Sequence, residues 1–199
     1  GYVKTKIAVP EGKEINRIVE EIAVVQSKLC IGLKCGIEPT SKEYYALMLG
    51  GCIFGGSPFS KLFTNVREKL SLAYYASVRT ERFKSTMFIS SGIETDKYQA
   101  AYDEILVQFN KMKSGDITDS EVVNSKLYLT NGFNSMKDGL RTMEDYYLSQ
   151  AIMDNKGEID DLIEMTNKVT KEEIVEAFNK VEIDTVYFLK GCASDGGDE

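Results

Sequence analysis

The sequence predicts an α+β fold: an antiparallel or mixed β-sheet with helices packed on one face, a two-layer sandwich. Three observations carry this. Two alternating segments, "LAYYASVRTERF" and "STMFISSGIE", are joined by a polar turn near Phe83 and Lys84, the pattern of a hairpin. Beyond them the chain reads as a run of amphipathic helices up to Val181. Apolar segments toward each end, "RIVEEIAVVQSKLCIGLK" from Arg17 and "DTVYFLKG" from Asp184, supply the remaining strands.

The first of these end segments is rich in β-branched residues and has a polar break at Gln26-Ser27-Lys28, so it reads as two short strands or one bent strand. In "EPTSKEYYALMLGGCIFGG", Thr40 and Glu43 have capping-box spacing, and the apolar run to Phe54 predicts a buried helix. Gly50 and Gly51 would let another element approach it closely. "FSKLFTNVREKL" predicts a second short helix with Phe59, Leu62, Phe63 and Val66 on one face, leading into the hairpin.

In "TDKYQAAYDEILVQFNKMKSG", Tyr98, Tyr102, Ile105, Phe109 and Met112 share one helical face, and Gly115 ends the helix. Thr118 with Glu121 is a capping box opening a helix to Met136. Gly139 separates it from a helix over residues 140–154, and residues 158–168 form a further short helix. Thr170 with Glu173 caps a last helix, whose inner face is Ile174, Ala177, Phe178 and Val181. Residues 16–191 therefore form a single domain. Residues 1–15 read as a connector from an upstream segment, and residues 192–199 as a polar, disordered tail.

Composition narrows the function. A chain of 199 residues can bury roughly 70% of the surface it exposes unfolded, so it needs neither disulfides nor metal to fold. A net charge of −7 argues against nucleic acid as a partner, and no stretch approaches the ~20 apolar residues of a membrane span. Four irregularly spaced cysteines suit a reduced, cytoplasmic protein. There is no histidine. That excludes Ser-His-Asp and Cys-His catalysis, and it excludes the catalytic zinc sites that use at least one imidazole. No metal site is expected in this chain.

One stretch remains, "GGSPFSKLFTNVREKLSLAYY". On spacing alone it has a structural reading: a Gly-Pro turn, Arg67 and Lys69 complementing a helix C-terminus, and two strand tyrosines. It is no phosphate loop, because neither glycine pattern of such loops is present.

The longer passage "LGGCIFGGSPFSKLFTNVREKLSLAYYASV" resembles the signature of the second, non-metal type of domain in the insulinase/pitrilysin (processing-peptidase-like, inverzincin) zinc metallopeptidases. The resemblance extends from about Gln26 to about Lys190. It departs from the common form at Ser71, where glycine is usual. The resemblance implies homologous domains arranged as two halves around a chamber. The zinc is expected in the partner domain, where an H-x-x-E-H helix holds it. It assigns Arg67 and Tyr74 as the catalytic pair, the guanidinium holding a peptide carbonyl or carboxylate and the phenol donating to an oxyanion. Gly55, Gly56 and Ser57 are expected to let the substrate backbone pass close by. The partners implied are a zinc-bearing homologous domain or subunit, as a homo- or heterodimer, and a peptide substrate. This chain alone is expected to be inactive. Two other readings stand beside this one: a catalytically silent structural or assembly subunit of the same fold, and an unrelated soluble α+β binding domain.

Overall fold

A computed structural model describes residues 14–192. Of the expected connector and tail, all but Glu14, Ile15 and Cys192 lie outside those residues. Five strands form one mixed sheet: β1 (Asn16–Ile22), β2 (Ser27–Lys34), β3 (Ala73–Glu81), β4 (Thr86–Ile93) and β5 (Glu182–Gly191), in the spatial order β1-β5-β2-β4-β3. The break before Ser27 does divide the first segment into two strands. They are not neighbours, because β5 inserts between them, parallel to β1 and antiparallel to β2. The hairpin is formed as expected, with β3 antiparallel to β4 and its turn at Arg82–Lys84. β1 and β3 are the edges.

Alternation in β2 sets the inner face. Ser27, Leu29, Ile31 and Leu33 are buried, while Lys28 is exposed. Against this face pack α1 (Glu43–Gly51), α2 (Tyr98–Ser114) and α6 (Lys171–Asn179). Phe54, Phe109 and Phe178 meet at the centre with ring centroids 5.8 to 6.3 Å apart. The expected close approach at Gly50 is present: a Cβ there would lie 2.4 Å from the Phe178 ring. A satellite cluster of Phe133, Tyr146, Ile159 and Leu162 joins α3 (Asp119–Met136), α4 (Leu140–Ile152) and α5 (Ile159–Lys168).

Two of the three expected capping boxes form, at Thr118–Glu121 and Thr170–Glu173. The third does not. Helix α1 begins two residues late with Lys42 as its cap residue, and no side chain caps it. Tertiary contacts engage the carboxylate the box would use and the backbone just before it. Lys180 pairs with Glu43 at 2.5 Å, and Arg82 donates twice to the Pro39 carbonyl at 2.8 and 3.0 Å. A box that the sequence reading does not contain forms instead at Glu158–Asp161.

Past α1 the helix continues in a wide, π-helical register over Cys52–Gly56, and a second π-helical segment spans Phe63–Lys69. The expected face of this second helix is only partly inside: Leu62 and Val66 are fully buried, whereas Phe59 is exposed. The chain leaves it through Ser71 at φ +49°, the left-handed region that glycine occupies without strain. This explains why the usual glycine suits the position, since a side chain there costs about 1–2 kcal/mol. Ser71→Gly is therefore expected to stabilise the protein by about 0.5–1 kcal/mol, part of the relief being offset by glycine's freedom in the unfolded chain. A urea midpoint that falls in the variant would show that the turn is unstrained.

Candidate functional site

The π-helical segment ending at Lys69, the left-handed turn at Ser71 and the start of β3 deliver Arg67 and Tyr74 to the same place. Both line an open cleft of about 420 Å³ with Glu68, Ser71, Leu72, Ala73, Glu94 and Lys97. The strand does this through a bulge. Ala73 pairs with Ile93 and Tyr75 with Gly92, so Tyr74 is an extra residue with no partner on β4. Tyr74 is 58% exposed, and its hydroxyl donates to Glu94 Oε1 across 3.4 Å. Tyr75 is turned away from it and lies over Gly92, on the wall of a different cleft.

Arg67 is the side chain shared by both clefts. Its guanidinium stacks on Phe63 at 4.6 Å and approaches Glu68 at 3.8 Å, leaving its donors largely free among the described residues. The second cleft, of about 270 Å³, is lined by Gly55, Gly56, Ser57 and Pro58 together with Phe63, Arg67, Tyr75 and Tyr128. The glycine turn thus adjoins Arg67. Its three residues differ in access: Gly56 is exposed, whereas Gly55 and Ser57 are buried. The Ser57 hydroxyl makes no regular hydrogen bond among the described residues and lies against the Cys52 thiol.

The sequence reading missed Glu94 and Lys97. A signal for them existed, because pairing β3 with β4 back from the turn at residues 82–85 puts residue 93 opposite the start of β3, and Glu94 and Lys97 follow it closely. Lys97 Nζ donates to Glu94 Oε1 at 3.0 Å and to the Ser71 carbonyl at 3.3 Å. The cleft thus carries two cations, Arg67 and Lys97, and two anions, Glu68 and Glu94. These charges balance, so the cleft offers donors and acceptors of both signs without a large net field.

A partly buried ion pair ties the segment after the glycine turn to α3. Lys61, 7% exposed, reaches Glu121 at 2.9 Å, and Glu121 also accepts from the Thr118 N–H in its capping box. Burial alone would raise the Glu121 pKa, but the Thr118 N–H and Lys61 outweigh it and hold the carboxyl below its ordinary value. A depressed folded pKa means stability present above the unfolded carboxylate range and lost as pH falls through the folded value. Lys61→Met should cost about 2 kcal/mol at neutral pH, between the values for exposed and buried pairs. Its deficit in melting temperature should shrink as pH falls through the carboxylate range. A deficit that stays constant would assign the loss to packing of the lysine stem.

Other chemistry is poorly served. Burial pushes the Cys35 thiol up to about 12 and raises Cys52, so neither is an activated nucleophile. The chain has no histidine, and among the described residues no group of three or more Cys, Asp or Glu is arranged to hold a metal ion. These donors do not fit a catalytic zinc. Among the described residues no helix is long and apolar enough to cross a membrane.

Comparison with known proteins follows the same line. A Bacillus subtilis (strain 168) protein named "Probable inactive metalloprotease YmfF" is 38% identical over 174 residues, 87% of this chain and 41% of that protein. A second protein of that strain, "Uncharacterized zinc protease YmxG", is 28% identical over 163 residues, 81% of this chain and 37% of that one. The chain thus spans under half the length of these relatives. Among solved structures, a conserved protein from Enterococcus faecalis V583 superposes with a TM-score of 0.87 at 30% identity, over 94% of this chain and 44% of that one. The family model for the "Peptidase M16 inactive domain" matches residues 3–129, and the chain belongs to that family.

Proposed function

We propose that this domain is the non-metal half of a zinc-peptidase pair. It contributes peptide-binding and transition-state contacts to a zinc site held by a homologous domain or subunit. The observation that carries this is the convergence of Arg67 and Tyr74 on one open cleft, with the tyrosine lifted out of the strand ladder by a bulge. Arg67 has donors free for a peptide carbonyl or carboxylate, and it offers them to substrate before reaction as well as during it. Tyr74 offers a single exposed O–H to charge that develops on the scissile carbonyl oxygen. Gly56 and the turn around it form the adjoining wall along which substrate backbone passes. The domain alone cleaves no peptide. Its four unpaired cysteines suit a reducing compartment such as the cytoplasm.

A second reading is favoured by one finding: the 38% identical relative carries the word inactive in its name. Under it, the same fold serves assembly alone.

Reconstitution separates the two. Mixed with a zinc-bearing homologous partner, the domain should support peptide cleavage, and Arg67→Ala should raise KM about tenfold with a smaller change in kcat, as expected for a contact already made in the ground state. Unchanged KM and kcat in Arg67→Ala, or no cleavage by any such mixture, would leave the assembly reading.

A further inference from the structure

Tyr74 is unusual in being both a bulged residue and a highly exposed one, so the strand ladder does little to fix its ring. What holds the phenol lies across the cleft. Its hydroxyl donates to Glu94 Oε1, and the same carboxylate oxygen accepts from Lys97 Nζ. Lys97 also donates to the carbonyl of Ser71, inside the turn that connects Arg67 to Tyr74. The base of this arrangement is tied to the sheet. Between Glu94 and Lys97, Thr95 Oγ1 is 2.7 Å from the buried Ser27 Oγ and donates to the Gly191 carbonyl at 3.3 Å, tying the segment to β2 and β5.

We propose that Glu94, held by Lys97, is a positioning residue for Tyr74: it aims the phenol O–H into the cleft before substrate arrives. The inference rests on the peptidase reading above. Two features of the contact suit the role. At 3.4 Å it is long for an O–H···O bond, so the hydroxyl can leave it for a substrate oxygen at little cost. The lysine ammonium compensates the carboxylate, so Glu94 does not repel negative charge gathering at the neighbouring Tyr74 hydroxyl. Lys97 registers this pairing, its pKa being raised chiefly by the hydrogen bond to Glu94.

The test is a double-mutant cycle on peptide cleavage by the domain with its zinc-bearing partner. Glu94→Ala should lower kcat about tenfold, the loss expected when a reacting group is misaligned, with KM within twofold. In the Tyr74→Phe background the same substitution should change kcat by less than twofold, because the hydroxyl it aims is gone. Glu94→Gln keeps an acceptor oxygen and should restore most of the rate. Thermal melts of both Glu94 variants near the parental value show that the fold is intact. A parental kcat in Glu94→Ala would overturn the inference, and so would equal losses in the two backgrounds, which mark a general structural role. If Tyr74→Phe itself cleaves at the parental rate, the peptidase reading fails first and the positioning role with it.

Discussion

Tyr74→Phe should reduce kcat for peptide cleavage by about 10²–10³ in the reconstituted enzyme, roughly 3–4 kcal/mol of transition-state stabilisation. The substitution removes one oxygen from a ring that is 58% exposed, so it creates no cavity and unpairs no buried group. Among the described residues the hydroxyl makes one hydrogen bond, the long one to Glu94. Fold, stability and partner binding should therefore stay at parental values, and the loss should fall on kcat rather than KM. This separates Tyr74 from Arg67, whose truncation also weakens ground-state binding. A Tyr74→Phe enzyme that turns over at the parental rate would make the tyrosine architectural. A variant that loses stability instead would place the residue in the folding of the hairpin, against its exposure.

How far the sequence foretold this site depends on the range of the interactions involved. The capping boxes at Thr118 and Thr170 were legible because both partners lie within four residues, and the first forms even though Lys61 also pairs with Glu121. The Thr40 box was an equally good local signal, but α1 starts later, at Glu43, whose carboxylate pairs with Lys180, 137 residues away. The hairpin followed from alternation, but its bulge did not: Ala73 and Ala76 are both buried with two exposed tyrosines between them, a spacing that strict alternation forbids. The insertion of β5 between β1 and β2 is a long-range choice, and β1, exposed along its whole length, carries no inward-facing pattern that would have revealed its neighbour. Glu94 and Lys97 were missed for a different reason. They lie just past the end of β4, outside the passage that carries the motif, and only the hairpin register brings them across to Tyr74.

Gly55→Ala should destabilise the domain by about 2–3 kcal/mol, because this glycine is filled against the sheet rather than left open to the cleft. An added Cβ would lie 2.4 Å from Val78 Cγ2, 2.9 Å from Val78 Cβ and 3.0 Å from the Val78 backbone nitrogen. The first two contacts belong to a side chain and the third to β3 itself, so rotation of the valine cannot relieve them all. Val78→Ala in the same chain should recover part of the loss and leave the part due to the backbone contact. Gly56→Ala provides the contrast. Gly56 is exposed, and its nearest neighbour to a new Cβ is the Gly51 carbonyl oxygen at 3.2 Å, tight but not prohibitive. It should cost under about 1 kcal/mol in stability while raising KM if peptide backbone runs along this wall. Denaturant midpoints and KM for the two variants therefore divide the turn into its parts. A large stability loss confined to Gly55→Ala assigns that glycine to the packing of the π-helical segment on β3, and leaves Gly56 as the position where substrate can pass. Equal and small stability losses at both would mean that β3 can yield at Val78, and that the edge strand carrying Tyr74 is not rigidly seated.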